Sequence, residues 1–363
     1  MTGTDKGTHV RRPVDRIFAT VLLFFGAMCS GCQQPLKPIF SEANREIVWP
    51  KAPDQPRIRY VGQLVGEASL GAKTKGFEAL GEIFTGAKPK IGFSTPMAIA
   101  VQGDVVYVAD GQNHSVYVLN LASRVFATIS QAGARPLEWP IDLAIRGESL
   151  LVADSSRGAV FVYDFAGAYK AAVGDGALKR PSGIAVDRNS GDLWVVDSAA
   201  HDCKVFDSNG QLKRTFGQRG ASAGQFNYPV GLGIHPEVGV AIADSMNFRV
   251  QLISSEGAPK AMFGQKGDAA GDFALPRDVA IDSEGHLYVL DNQFENVQIF
   301  DRTGRLLMAF GQEGRGPGEF YLPSGITIDD QDRIWIADTY NRRVQVFQYL
   351  RAEGDREGSP KKR

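Results

Sequence analysis

Histidine and cysteine are scarce in this 363-residue chain, which holds five of the first and three of the second. Cys29 and Cys32 sit inside an N-terminal leader, so Cys203 stands alone and a disulfide within the remaining chain is excluded. His9 shares the leader, and His235 and His286 fall at turns between first and second strands, leaving His114 and His201 on the loop side of the fold read below. Zinc takes three protein ligands even in an open catalytic site, so this supply falls short of a histidine-built centre. A long basic stripe is missing too. The 40 Lys and Arg are matched by 41 Asp and Glu, for a net charge of −1, which leaves a nucleic acid no electrostatic footprint. No Gly-x-Ser-x-Gly elbow and no Cys/His pair offers a nucleophile. The apolar run at 17–28 is well short of the roughly 20 residues that a spanning helix needs.

The leader itself has a recognisable order. Basic Lys6, Arg11, Arg12 and Arg16 precede the apolar run, and Cys29-Ser30-Gly31-Cys32 follows it. Small residues before a cysteine resemble the bacterial lipoprotein cleavage site, which implies removal of residues 1–31 and acylation of Cys32. Cys29 departs from that pattern, because an aliphatic residue is usual three positions before the lipidated cysteine. Gln33, standing where Asp would signal inner-membrane retention, implies by the same resemblance an outer-membrane protein facing the periplasm. Residues 33–56 are polar and proline-rich, suited to a tether, so the expected organisation is signal 1–31 and tether 32–56.

Beyond the tether, one pattern is restated six times. A proline opens an apolar strand, a second strand ends in aspartate, a polar loop follows, and a third strand carries an apolar residue at a fixed place. The prolines are Pro96, Pro140, Pro181, Pro229, Pro276 and Pro323; the aspartates are Asp110, Asp154, Asp197, Asp244, Asp291 and Asp338. Their spacing of 41 to 48 residues is the length of one four-stranded blade. The strands are short, β-branched or aromatic, and bounded by Asp and Asn turns. The fold class that follows is all-β, a six-bladed β-propeller.

The segment YLPSGITIDDQDRIWIADTYNRRVQVF at 321–347, with copies such as RPSGIAVDRNSGDLWVVDSAAHDCKVF at 180–206, resembles the NHL-repeat propellers. The resemblance covers about three quarters of the chain and implies the fold. It leaves function open, because binding scaffolds, lyases and lactonases share this architecture.

The chain ends predict how the ring closes. Unit six stops after its third strand, and the charged residues 351–363 cannot supply a fourth. RIRYVGQ at 57–63 resembles the fourth strands KRTFGQ and LMAFGQ and is expected to complete the last blade, so that the propeller spans 57–350. An insertion at 64–92 then precedes blade one. In it, Phe77, Leu80, Ile83 and Phe84 share a face of a short helix expected to plug an apolar gap, with a lid over the channel as the other reading.

The six aspartates recur at one register, so each is expected to close a turn through backbone hydrogen bonds. Differences between blades are more informative. Two residues after the repeat proline stand Ala98, Asp142, Gly183, Gly231, Asp278 and Gly325, which places Asp142 and Asp278 in opposite blades with Arg277 beside the second. They could form a paired cation site, orient a ligand, or remain two solvated carboxylates with Arg277 neutralising Asp278; the last is the plainest expectation. On the loop face His114, Arg157, His201, Arg249 and Arg342 are the candidate ligand contacts. The function expected is a monomeric, envelope-anchored scaffold that engages a protein or surface polysaccharide through its loop face and needs no cofactor. The alternative is a lactonase-like hydrolase or lyase holding a divalent metal in the channel through Asp142, Asp278 and His114 or His201.

Overall fold

The computed structural model describes residues 1–3, 38–40, 46–71 and 89–351. Residues Met1–Pro38 separate as a unit of their own, and Ile39–Arg363 form the folded body. The leader, Cys32 and the expected helix at 76–84 lie outside the described residues.

Six antiparallel sheets form the blades, and a two-stranded ribbon, Gln131–Ala132 with Arg135–Pro136, lies between blades one and two. Blade one runs Pro96–Gln102, Val105–Asp110, Ser115–Asn120 and Val125–Ile129, and the next four blades repeat this up-and-down order. Inner strands contact one another in sequence, and the sixth contacts the first, closing the ring. Burial explains why the strands read so differently. Second strands such as Leu193–Asp197 are buried along their whole length, being covered on both faces by neighbouring blades, and are continuously apolar. Fourth strands such as Pro259–Phe263 lie on the rim and are mostly exposed.

In blades one to five the repeat proline pairs directly with the repeat aspartate, as Pro96 with Asp110 and Pro276 with Asp291, and a register shift follows at once; in blade six pairing starts at Gly325 opposite Ala337. Proline suits this first strand position because it has no N–H to contribute to a ladder. The aspartates do more than close their own turns. Asp154 accepts hydrogen bonds from the Arg157 N–H of its loop and from Glu138 and Trp139, the two residues before Pro140. Asp110 and Asp197 repeat this with Ser94 and Thr95, and with Lys179 and Arg180. One carboxylate thus ties the loop between strands two and three to the start of the inner strand.

Blades four to six add a second device. The GQxG-x5-F loops fold back on themselves, with Phe226 N–H donating to Gln218 O and Gly220 N–H to Phe226 O. Their phenylalanines Phe226, Phe273 and Phe320 are buried.

The seam closes as the sequence predicts, one residue displaced. Ile58–Leu64 pairs antiparallel with Arg343–Tyr349, from Ile58 opposite Tyr349 to Leu64 opposite Val344. The tether boundary at residue 56 needs correction. Val48–Trp49 adds a fifth strand outside Ile58–Leu64, and the Trp49 ring lies 5.8 Å from both Phe310 and Phe347. Phe40 also packs, 6.4 Å from Trp335 and tight against Gly62. Composition hid this, because three apolar anchors are spaced among polar and proline residues. The insertion leaves and returns at one point: Gly66 bridges Gly92, and Glu67 N–H donates to Ile91 O. At the other end Arg351 is held by Asp332 at 2.8 Å.

Deleting residues 1–50 is expected to lower stability by about 2–4 kcal/mol, since it uncovers Phe310 and Phe347. Deleting through residue 66 should instead open the sheet edge of blade six and give aggregates. Thermal melts and size-exclusion profiles of the two truncations check this; equal behaviour would show that the seam strand contributes nothing.

Candidate functional site: the channel waist and the loop face

Inner strands begin at the loop face and run along the axis. In the layer two residues beyond the repeat prolines they approach closely, and glycine permits it. A Cβ on Gly231 would collide with Asp278, and one on Gly183 with Val230 O and the Gly231 backbone. Here Asp142 and Asp278 face the axis from opposite blades. Asp142 Oδ1 accepts from Leu143 N–H at 2.8 Å, and Oδ2 accepts from Ile184 N–H of the next blade at 2.6 Å. Asp278 repeats the arrangement with Val279 N–H at 2.8 Å and Ile326 N–H at 2.9 Å. Each carboxylate therefore latches its blade to the following one.

The expectation of two separately solvated carboxylates is not what this layer contains. Burial raises both acidities' midpoints: Asp278 is pushed up to about 7, and Asp142 well above the usual carboxylate range, first by burial and then by the charge of Asp278. Arg277 makes no direct ion pair with Asp278; burial lowers the pKa of Arg277, and each of the two charges favours the other against that burial. Beyond the waist the axis widens into a cavity of about 720 Å³ that reaches the opposite mouth. There Arg188 and Asp330, from opposite blades three and six, form an exposed ion pair of 2.8 Å.

The loop-face candidates do not converge. His114, His201 and Arg342 hold one register with Gly158, Phe248 and Glu295, all at positive φ between 50° and 62°. At this position side chains turn toward the next blade. His114 Nδ1 meets Glu138 O, His201 Nδ1 accepts from Tyr228 N–H at 3.1 Å, and Glu295 accepts from Leu322 N–H at 3.2 Å. His201 is buried, whereas Arg342 is exposed. Arg157 bonds Pro136 O and pairs with Glu138 at 3.1 Å. Arg249 is committed inward: its guanidinium bonds Asp244 and the carbonyls of Ala221, Ser222 and Gln225. Its counterpart in blade six is Arg343, with the same set of partners, and not Arg342.

Residues before the repeat prolines went unnoticed in the sequence. Trp139, Tyr228 and Tyr321 are exposed there, and Arg180 lies over the Tyr228 ring at 6.0 Å. The available signal was an aromatic side chain beside a proline whose N-terminal neighbour faces solvent. Among the described residues no three His, Cys, Asp or Glu side chains gather as a metal-ligand group, and no helix is long and apolar enough to cross a membrane.

An NHL repeat matches residues 178–206, and a six-bladed β-propeller family matches residues 279–350. No curated protein matches the chain. Among solved structures it is similar to an auxiliary nutrient binding protein from Bacteroides thetaiotaomicron, at 14% identity and TM-score 0.57 over 72% of this chain and 70% of that one. A gluconolactonase from Xanthomonas campestris gives 18% identity and TM-score 0.55, over 71% and 87% of the two chains. A virginiamycin B lyase from Staphylococcus aureus gives 12% and 0.54, over 71% and 96%. At these identities the likeness is one of fold.

A carboxyl whose midpoint is raised on folding stabilises the fold when protonated. That stability is fully present below about pH 4, the unfolded midpoint, and is lost as pH rises through about 7. Stability is expected to fall between pH 5 and pH 8, by up to about 1.4 kcal/mol per unit for one proton, and the melting temperature with it. Asp278→Asn should flatten that slope even though it forfeits one amide bond; an unchanged slope would place the titration elsewhere.

Proposed function

We propose that this chain, a six-bladed β-propeller carrying NHL repeats, is an envelope-anchored binding scaffold whose loop face captures a partner protein. The distribution of exposed apolar side chains carries the reading. One set lies on the rim, on the outer strands of blades one to five: Val125, Tyr169, Leu212, Met262 and Leu307. A second lies on the loop face, at alternate blades: Trp139 on blade two, Tyr228 with Met246 on blade four, and Tyr321 with Tyr340 on blade six; Val65 and Ile91, at the base of the insertion, make a third. Tyr321 and Tyr340 pack edge to face at 5.5 Å, and Tyr340 is 61% exposed, the largest such value among aromatic side chains described. Tyr, Trp and Arg are the residues that most often dominate protein interfaces.

A photo-crosslinker at Tyr340 in the native envelope is expected to trap one discrete protein. Trp139→Ala with Tyr340→Ala should weaken that capture at least about tenfold while shifting stability by only about 0.5 kcal/mol per exposed position. Undiminished capture would move the interface to the rim, and a product released by glycosidase would make the partner a polysaccharide. The hydrolase reading has the Asp142–Asp278 pair as its basis; lactone or ester hydrolysis abolished by Asp142→Asn would replace the scaffold.

Anchoring belongs to the same proposal. Cys32 follows a basic, apolar and small-residue leader, and one acyl chain alone binds membranes only reversibly, so stable attachment takes more than one chain. Labelled palmitate should enter the wild-type protein and not Cys32→Ser, which should be released or left unprocessed. Equal labelling of both would refute lipidation at this residue.

A further inference from the structure

Directly above the Asp142–Asp278 layer, facing the loops, the axis is ringed by Met97, Ile141, Ser182, Val230, Arg277 and Ser324. Arg277 is the only charged member. Its guanidinium makes neither a hydrogen bond nor an ion pair, although the residue is mostly buried, and burial disfavours its charge. The carboxylates nearby are committed elsewhere. Asp278 spends its oxygens on two backbone amides, Glu138 pairs with Arg157, and Glu295 accepts from Leu322. A second guanidinium adds to the positive field: Arg180, exposed on blade three, spends Nε on Ser198 Oγ and lies over Tyr228. Its charge disfavours that of Arg277, whereas the charge of Asp278 favours it. Arg180, Tyr228 and Arg277 thus form a strip across blades three, four and five.

We infer that this strip is a recognition site for a carboxylate presented by the partner protein, an Asp or Glu side chain, with Arg277 as the axial donor. The inference rests on the loop-face reading and names the chemistry of one of its contacts. A planar guanidinium fork matches a carboxylate bidentately, and the apolar neighbours Met97, Ile141 and Val230 reduce the screening of that pair. Depth selects a short head group. The space between this ring and the aspartate layer is about 10 Å³, room for a single water. A side-chain carboxylate standing out from a protein surface reaches Arg277 while its parent chain rests on Tyr228 and Trp139.

The test uses the full chain labelled with 15N-arginine, with the Arg277 Nε–H resonance assigned by its absence in Arg277→Met. The probes are N-acetylglutamate amide, its neutral analogue N-acetylglutamine amide, N-acetylglycine for a main-chain carboxylate, and inorganic phosphate, all at one ionic strength. A saturable shift with N-acetylglutamate amide, absent with the glutamine analogue and weakened about tenfold in Arg180→Gln, is the expected result. Arg277→Lys, which keeps the charge and loses the fork, should bind more weakly than wild type and guards against a folding defect in the methionine variant. Equal responses to the acidic and neutral probes, or no saturation, overturn the site. Tighter binding of phosphate or N-acetylglycine overturns the side-chain assignment. Loss of partner capture in Trp139→Ala with Tyr340→Ala but not in Arg277→Lys would leave the docking face standing and remove the carboxylate contact. A carboxylate-responsive Arg277 in a protein that captures nothing would do the reverse.

Discussion

Six carboxylates with no access to solvent hold this ring in shape. Asp110, Asp154, Asp197, Asp244, Asp291 and Asp338 are each fully buried, and a buried charge is tolerable only when its lone pairs are filled. Blade two fills them with backbone amides alone, and blade one adds the Thr95 hydroxyl to its amides. Blades four and six bring in Arg249, Gln251 and Asn247, or Arg343, Gln345 and Asn341. Those arginines also collect the carbonyls of the loop leading into the blade. The difference has a local cause. In these two blades the amide just before the proline, on Tyr228 or Leu322, turns into positive φ and is claimed by His201 or Glu295 of the preceding blade. The aspartate loses one donor there, and side chains replace it.

That exchange shows what the sequence discloses and what it withholds. Proline and aspartate were legible because their periodicity is a property of the chain, and the ring, the blade boundaries and the seam strand all followed from it. The direction of a side chain at a strand border is not periodic in the same way. Arg249 opens a third strand five residues after Asp244, and Arg342 ends a loop four residues after Asp338. A shift of one residue carries one inward to a buried carboxylate and the other out to solvent. His114 and His201 were visible as a shared register, but their inter-blade contacts depend on a left-handed backbone that histidine seldom adopts. Five of the six residues at that position are not glycine, and for His114, His201 and Glu295 the contact with the next blade offsets the conformational cost.

The waist shows the complementary case. Opposite placement of Asp142 and Asp278 could be counted from the repeat, whereas their enclosure could not, because it depends on glycines in blades three, four and six letting backbones approach. The result is an axis with two unlike ends. Guanidinium groups and aromatic rings mark the narrow mouth, and the wide mouth is lined by Asp187, Asp282, Asp329, Asp330 and Asp332 with Arg146 and Arg188. A ligand distinguishes these ends by charge before it meets any shape.

The strand Ile58–Leu64 pairs with a segment made some 280 residues later, so the order of synthesis bears on assembly. Five blades are complete before the partner of this strand exists, and during that interval it carries unpaired amides and carbonyls with apolar Ile58, Tyr60 and Leu64 between them. Such an edge attracts other chains. Extending the entropy of so long a loop adds little, since its cost grows only with the logarithm of length. The vulnerable quantity is time: a nascent molecule remains open until residues 343–349 arrive, and whatever shields its first strand until then determines the yield of closed rings.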